Sequence, residues 1–179
     1  MKTAKRIFLR PLEVNDYLPI NKWRNDPKIA RYLAGNAYLV SPEREKRWVE
    51  EKIADNRDNL YFAICAAKAG RLIGYSSINH IDLRNRKAEW GGTLVGDRSC
   101  IGKGYGREAS SLMLRYLFDQ YPVHRCYAYC LQEHPSTEKL FLSRGFKREG
   151  ILRDDVFKDG SFKNLLLFSI LRHEIEDHF

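Results

Sequence analysis

The chain has 179 residues, 31 Lys+Arg against 23 Asp+Glu for a formal net charge of +8, and 44% apolar residues. That is enough apolar material to bury the core of one domain spanning residues 1–179, and it excludes wholesale disorder. No stretch approaches the roughly 20 apolar residues of a membrane helix. Arg10, Glu13 and Asp16 interrupt the basic start before any apolar leader can form, so a cytoplasmic protein with no membrane partner is expected. The positive excess admits nucleic acid, a membrane surface, a phosphorylated cofactor or plain solubility, and charge alone does not decide among them.

In chain order, Ile7–Leu9 reads as a short strand closed by Arg10-Pro11. Asp16–Arg24 and Pro27–Tyr32 read as helical, with Asn25-Asp26-Pro27 as the break and restart. Ser41-Pro42-Glu43 opens a clearer helix to about Ala54, with Ser41 as N-cap and Pro42 at the first helical position. After the polar break Asn56–Asn59, Tyr61–Ala66 and Leu72–Ile78 flank a Gly-containing connection that predicts a hairpin. A third strand, Lys87–Val95, follows a polar turn.

Ile101–Gly106 then leads into an amphipathic helix over Arg107–Gln120, marked by Ala109, Leu112, Met113, Tyr116 and Leu117 at helical spacing. His124–Leu131 reads as a strand and Pro135–Ser143 as a helix stopped at Gly145. Phe146–Val156 and Leu165–Leu171 make a closing hairpin around Lys158-Asp159-Gly160. This order predicts an α/β (α+β) fold: a mixed, mostly antiparallel sheet with a central parallel strand–helix–strand unit and helices on both faces. The glycine-rich loop falls at the carboxyl end of a central strand, where ligands of such sheets bind.

The four cysteines, Cys65, Cys100, Cys126 and Cys130, have no C-x-x-C spacing, so reduced thiols and no metal site are expected. Cys100, beside the glycine loop, is the candidate for an exposed thiol.

Gly102-Lys103-Gly104-Tyr105-Gly106 is the most informative segment. Glycines let backbone amides approach a ligand closely, and amides at a helix start carry partial positive charge. Arg98, Lys103 and Arg107 add full charges, so the segment suits a pyrophosphate. It lacks the Gly-Lys-Ser/Thr of a P-loop, and its G-x-G-x-G spacing is not the dinucleotide fingerprint.

Ile101-Gly102-Lys103-Gly104-Tyr105-Gly106 resembles the [Q/R]-x-x-G-x-[G/A] motif of the GNAT N-acetyltransferases, and the element order is also that of their acyl-CoA N-acyltransferase fold. Further segments resemble the RimJ/RimL-like subgroup, whose members acetylate ribosomal-protein N-termini. They are Phe8-Leu-Arg-Pro-Leu12, Trp23-Arg-Asn-Asp-Pro27, Ile73-Gly-Tyr75, Ala88-Glu-Trp-Gly91, and His134-Pro-Ser-Thr137 followed by Gly145-Phe-Lys-Arg-Glu-Gly150. The match covers nearly the whole chain. Ile101 stands where the motif begins with Gln or Arg, His134 replaces the subgroup's Asn, and Thr137 its Ser. Phe141 stands where related enzymes carry a tyrosine acid, which removes a phenol from that position.

The resemblance implies acetyl-CoA as donor and an amine as acceptor, joined by direct attack in a ternary complex. Leu94, Val95 and Gly96 are then expected to offer backbone contacts to the cofactor. Ile101, Gly102, Lys103, Gly104, Tyr105, Gly106 and Arg107 cradle its pyrophosphate, and His134 contacts cofactor or substrate. Glu89, a carboxylate in an otherwise apolar strand, is the expected general base, although it also reads as an outward partner of Arg86 or Lys87. Thr137 is a candidate donor to the leaving thiolate and equally a helix-start residue. A protein N-terminus, a polyamine and a nucleotide-linked amino sugar are the acceptor classes. A non-enzymatic acyl-CoA-binding module and a nucleic-acid-binding domain are the readings from other classes, but Lys and Arg are spread along the chain rather than clustered with aromatics. Nucleic acid enters only through a ribosomal substrate, and a homodimer is the assembly the resemblance allows for.

Overall fold

Seven strands form a single mixed sheet of order β1-β2-β3-β4-β5-β7-β6 in the computed structural model, which describes residues 6–31, 33, 39–55 and 57–175. The strands are β1 (Ile7–Pro11), β2 (Leu60–Ala66), β3 (Leu72–Asp82), β4 (Lys87–Val95), β5 (Arg125–Leu131), β6 (Lys147–Lys158) and β7 (Ser161–Leu171). Every neighbouring pair is antiparallel except β4 and β5, as the strand–helix–strand connection between them requires. The helices are α1 (Tyr17–Arg24), α2 (Pro27–Ala30), α3 (Pro42–Ala54), α4 (Tyr105–Gln120) and α5 (Pro135–Leu142).

Local chemistry accounts for the helix ends. Asp26 caps α2 through its side chain on the Lys28 amide, and Ser41 caps α3 on the Arg44 amide, each with proline at the first turn. At the end of α5 the Phe146 amide reaches back to the Phe141 carbonyl and the Gly145 amide to Leu142, with Gly145 at φ +80°. This Schellman arrangement satisfies carbonyls the helix would leave open. The predicted extension of α2 to Tyr32 and the start of the polar break at Asn56 lie outside the described residues.

Two cores flank the sheet. On one face α4 and α5 bury Ala109, Met113, Leu114, Leu117 and Phe141 against Trp90, Cys126, Ala128, Phe168 and Ile170. On the other, α1 and α3 bury Ile20 and Val49 against Ala63 and Cys65, with Trp23, Trp48, Tyr61 and Tyr75 around them. The alternation of the strands sorts their residues between the faces: Ala88 and Trp90 of β4 enter the α4 core, which sends Glu89 to the α1–α3 side. All four cysteines are buried and free, Cys100 included, so the exposure anticipated for it does not occur. Its side chain packs into the α4 core beneath the glycine loop.

Several strands run longer than their apolar patterns. β3 continues past Ile78 to Asp82 and β7 begins at Ser161 rather than Leu165, because ladder pairing carries polar residues with it. Phe157 and Phe162 face each other across that extension at 5.2 Å, exposed at the hairpin tip.

Candidate active site

β4 and β5 are paired only through Lys87↔Arg125, Ala88↔Cys126 and Glu89↔Tyr127. Beyond Glu89 the two strands part, although β4 runs to Val95 and β5 to Leu131. The cause lies on the other edge of β4. Its register against β3 slips between the Ser77↔Gly92 and Ile78↔Trp90 pairs, so Gly91 is an inserted residue. Ser77 Oγ and Asn79 Nδ2 crowd Gly91 so closely that a Cβ there would lie 2.3 Å from each. Ser76 donates to the Gly92 carbonyl at 2.8 Å, and the Trp90 indole N–H donates to Ser76 Oγ at 3.4 Å. The bulge turns β4 away from β5, and a cleft opens between them with Glu89 at its apex.

Glu89 is 22% exposed. Burial holds its carboxyl above the ordinary glutamate range, while His80 and the Asn79 side chain pull it back. Tyr61, Tyr127 and Tyr129 all feel its charge, so it stands on a tyrosine-rich surface at the α1–α3 face. Arg86 and Lys87 are not its partners: the Arg86 guanidinium donates to the Pro122 carbonyl, and the group that comes to Glu89 is His80, whose Nε2 lies 3.8 Å from Glu89 Oε2.

At the far end of the cleft the glycine loop meets α4. Gly104 caps the helix in the left-handed region at φ +83°, and Gly102 lies at φ +75°. The amides of Gly102, Gly104, Tyr105, Gly106 and Arg107 find no backbone acceptor among the described residues. Arg6 braces the loop from outside: it donates to the Lys103 carbonyl at 3.0 Å, pairs with Glu108, and stacks 4.8 Å above the Tyr105 ring. Tyr105 packs against the α4 core beneath that guanidinium. Ile101 and Lys103 are exposed on the outer turn.

Arg98, expected to face the phosphates, instead donates twice to Asp26 Oδ2 at 3.0 and 2.6 Å and holds that carboxyl below its usual range. The cation that joins Arg107 is Arg144, from the end of α5. It donates to Ser111 Oγ at 2.6 Å, and burial together with the nearby Arg107 charge disfavours its own. Two mutually opposed guanidiniums beside a row of amides fit a pyrophosphate, which would relieve the opposition. No motif marks Arg144, because only the packing of α5 against α4 brings it there.

The remaining expected residues divide. Leu94 and Val95 close β4 in pairing with Tyr75 and Gly74. The Gly96 amide, by contrast, donates to the Ile73 carbonyl at 2.9 Å, as does that of Asp97 at 3.1 Å. Gly96 instead permits contact: a Cβ there would lie 2.0 Å from the Trp23 ring. His134 is the N-cap of α5, and its Nδ1 contacts Thr137 Oγ1, so both belong to one helix start. Burial and Arg31 lower the His134 pKa, which keeps the imidazole neutral at neutral pH. Both histidine and Pro135 line a cavity of about 440 Å³ shared with Arg31, Lys158 and Lys163. Phe141 is 2% exposed, wedged among Trp90, Phe146 and Phe168 at ring distances of 5.2 to 5.5 Å.

Residues 6–147 match the acetyltransferase (GNAT) domain model. The chain belongs to the GNAT acetyltransferase family. It is 28% identical over 172 residues to p20 of Bacillus licheniformis, named an N-acetyltransferase, covering 96% of each chain. It is 24% identical over 174 residues to the spermidine N(1)-acetyltransferase of Escherichia coli K12, covering 97% of this chain and 90% of that one. The crystal structure of spermidine N-acetyltransferase from Vibrio cholerae, in complex with CoA and spermine, superposes with a TM-score of 0.87 at 25% identity, covering 97% and 99% of the two chains. This GNAT chain is therefore an acetyl-CoA-dependent N-acetyltransferase.

Proposed function

We propose that this enzyme moves the acetyl group from acetyl-CoA to a primary amine by direct attack in a ternary complex, with Glu89 as general base. The observation that carries this reading is the position of Glu89: a half-buried carboxylate, with its pKa raised, at the last paired position before the cleft opens. The amine must lose a proton to attack, and a carboxylate with a raised pKa is a better acceptor for it than an ordinary one. Gly102, Gly104, Tyr105, Gly106 and Arg107 hold the pyrophosphate of the donor through their amides, aided by Lys103, Arg107 and Arg144. Leu94 and Val95 lie along its pantetheine arm. The Thr137 hydroxyl is held in place by His134 at the start of α5 and is the donor available to the departing thiolate, since Phe141 has no hydroxyl to give.

A protein N-terminus is the first acceptor reading. Glu149, Glu133 and Glu138 pair with Arg125, Lys163 and Arg148, while Asp154 and Asp155 are exposed. A 31% identical relative, YdaF of Bacillus subtilis, is named for ribosomal N-acetylation. The spermidine acetyltransferases among the relatives favour the polyamine as second reading. Acetyl-CoA-dependent turnover of N-terminal peptides, spermidine and amino sugars decides between them. Peptide kcat/KM at least about tenfold above that of spermidine is the expected result, and the reverse order gives the polyamine reading.

A further inference from the structure

β3 and β4 lose register a second time, between the Asn79↔Glu89 and Asp82↔Lys87 pairs, where His80 and Ile81 stand opposite Ala88 alone. His80 takes the left-handed conformation at φ +51°, which non-glycine residues adopt only where their surroundings hold them. The segment between α3 and β2 does the holding. The His80 amide donates to Asn59 Oδ1 at 3.2 Å and the Ile81 amide to the Asp58 carbonyl at 2.8 Å, while Asn59 Nδ2 is itself anchored on Asp55 at 2.7 Å. The outcome is an imidazole 73% exposed to solvent whose Nε2 stays 3.8 Å from the Glu89 carboxylate.

We propose that His80 is the positioning residue of Glu89, its imidazolium holding that carboxylate in the charged, proton-accepting form. This rests on the reading of Glu89 as the base. The other groups that meet the Glu89 charge supply no positive charge of their own: Asn79 on β3, Tyr61 on β2, and Cys126, Tyr127 and Tyr129 on β5, whose protons burial and the Glu89 charge both retain. Arg125 on β5 is committed to Glu149 through both its terminal nitrogens. Asp55 and Asp58, which secure the bulge, are acidic and add no cation, and Asp82 is bonded to Asn85. Among the described residues, His80 is thus the cation that opposes the burial of Glu89.

The test uses the full chain with His80→Asn, which is neutral and tolerates left-handed backbone, and His80→Lys, which keeps a cation. Against the best acceptor among N-terminal peptides, spermidine and amino sugars, His80→Asn should lower kcat/KM about three- to tenfold near pH 6 and less than about twofold near pH 9. The KM for acetyl-CoA should stay constant, and His80→Lys should recover the loss near pH 6. A direct NMR titration of the Glu89 carboxyl, which needs no acceptor, should move to higher pH in His80→Asn. A parallel loss at every pH, an unmoved Glu89 titration, or failure of His80→Lys to recover the loss overturns the proposal. Glu89→Gln separates the two readings. Full turnover in that variant removes the base itself, whereas collapse there with an unchanged His80→Asn profile removes only the role of His80.

Discussion

Glu89 and Tyr127 are the last register pair that β4 and β5 share, and β4 continues beyond it through Leu94 and Val95. The bulge at Gly91, two residues further along β4, explains why the pairing stops there.

Replacing Glu89 by Gln should reduce kcat by about 10²- to 10⁴-fold, with the KM for acetyl-CoA nearly constant, in steady-state assays. With Glu89 as the proposed base, the carboxylate is the active form. Because burial raises the Glu89 pKa, activity should be lost as pH falls through a value above the ordinary glutamate range, giving kcat/KM an acidic limb displaced to higher pH. That limb should vanish in Glu89→Gln.

Gly91→Ala should loosen the cleft. Its Cβ would lie 2.3 Å from Ser77 Oγ and from Asn79 Nδ2, and Asn79 is one of the groups that support the Glu89 charge. Overpacking of this kind costs about 1–3 kcal/mol of stability, measurable by urea unfolding, and kcat should fall with it.

At the other end of the cleft, Gly104→Ala forces a side chain into φ +83°, with its Cβ 3.2 Å from the Arg6 guanidinium. The strained backbone costs about 1–2 kcal/mol. With the loop holding the donor as proposed, the expected kinetic signature is a rise of about five- to twentyfold in the acetyl-CoA KM, with kcat changed less.

The fourth prediction concerns stability alone. Glu45 is fully buried and pairs with Arg24 at 2.8 Å, while Arg24 also stacks 4.9 Å over Trp48. Burial raises the Glu45 pKa and Arg24 opposes that rise. Arg24→Met should cost about 3–5 kcal/mol by leaving a buried carboxylate uncompensated, whereas Arg24→Met with Glu45→Met should come back close to the parent in chemical denaturation.

Much of this architecture was legible before any coordinates. The spacing of Leu112, Met113, Tyr116 and Leu117 marks α4, Ser41-Pro42 marks the start of α3, and the strand–helix–strand order demands the parallel β4–β5 pair. These are local signals, carried by side-chain periodicity, caps and the short reach of the chain. The glycine loop was legible for the same reason, since left-handed backbone at Gly102 and Gly104 demands glycine at those positions. Membership of the acetyltransferase family followed from the same residues.

What only the tertiary structure decided is which groups meet. Arg98 was equally fit for a phosphate by charge and place in the chain, yet folding brings Asp26 of α2 against it and commits it there. Arg144 carries no motif, but packing of α5 on α4 sets it beside Arg107. Gly96 spends its amide on Ile73, and His80 reaches Glu89 only because a two-residue bulge turns it out of the ladder. Register slips and ion pairs arise between segments distant in sequence, where long-range packing, not local propensity, chooses the partner. The +8 charge left nucleic acid, membrane, phosphate and solubility all open; the fold committed Arg98 to Asp26 and Arg125 to Glu149.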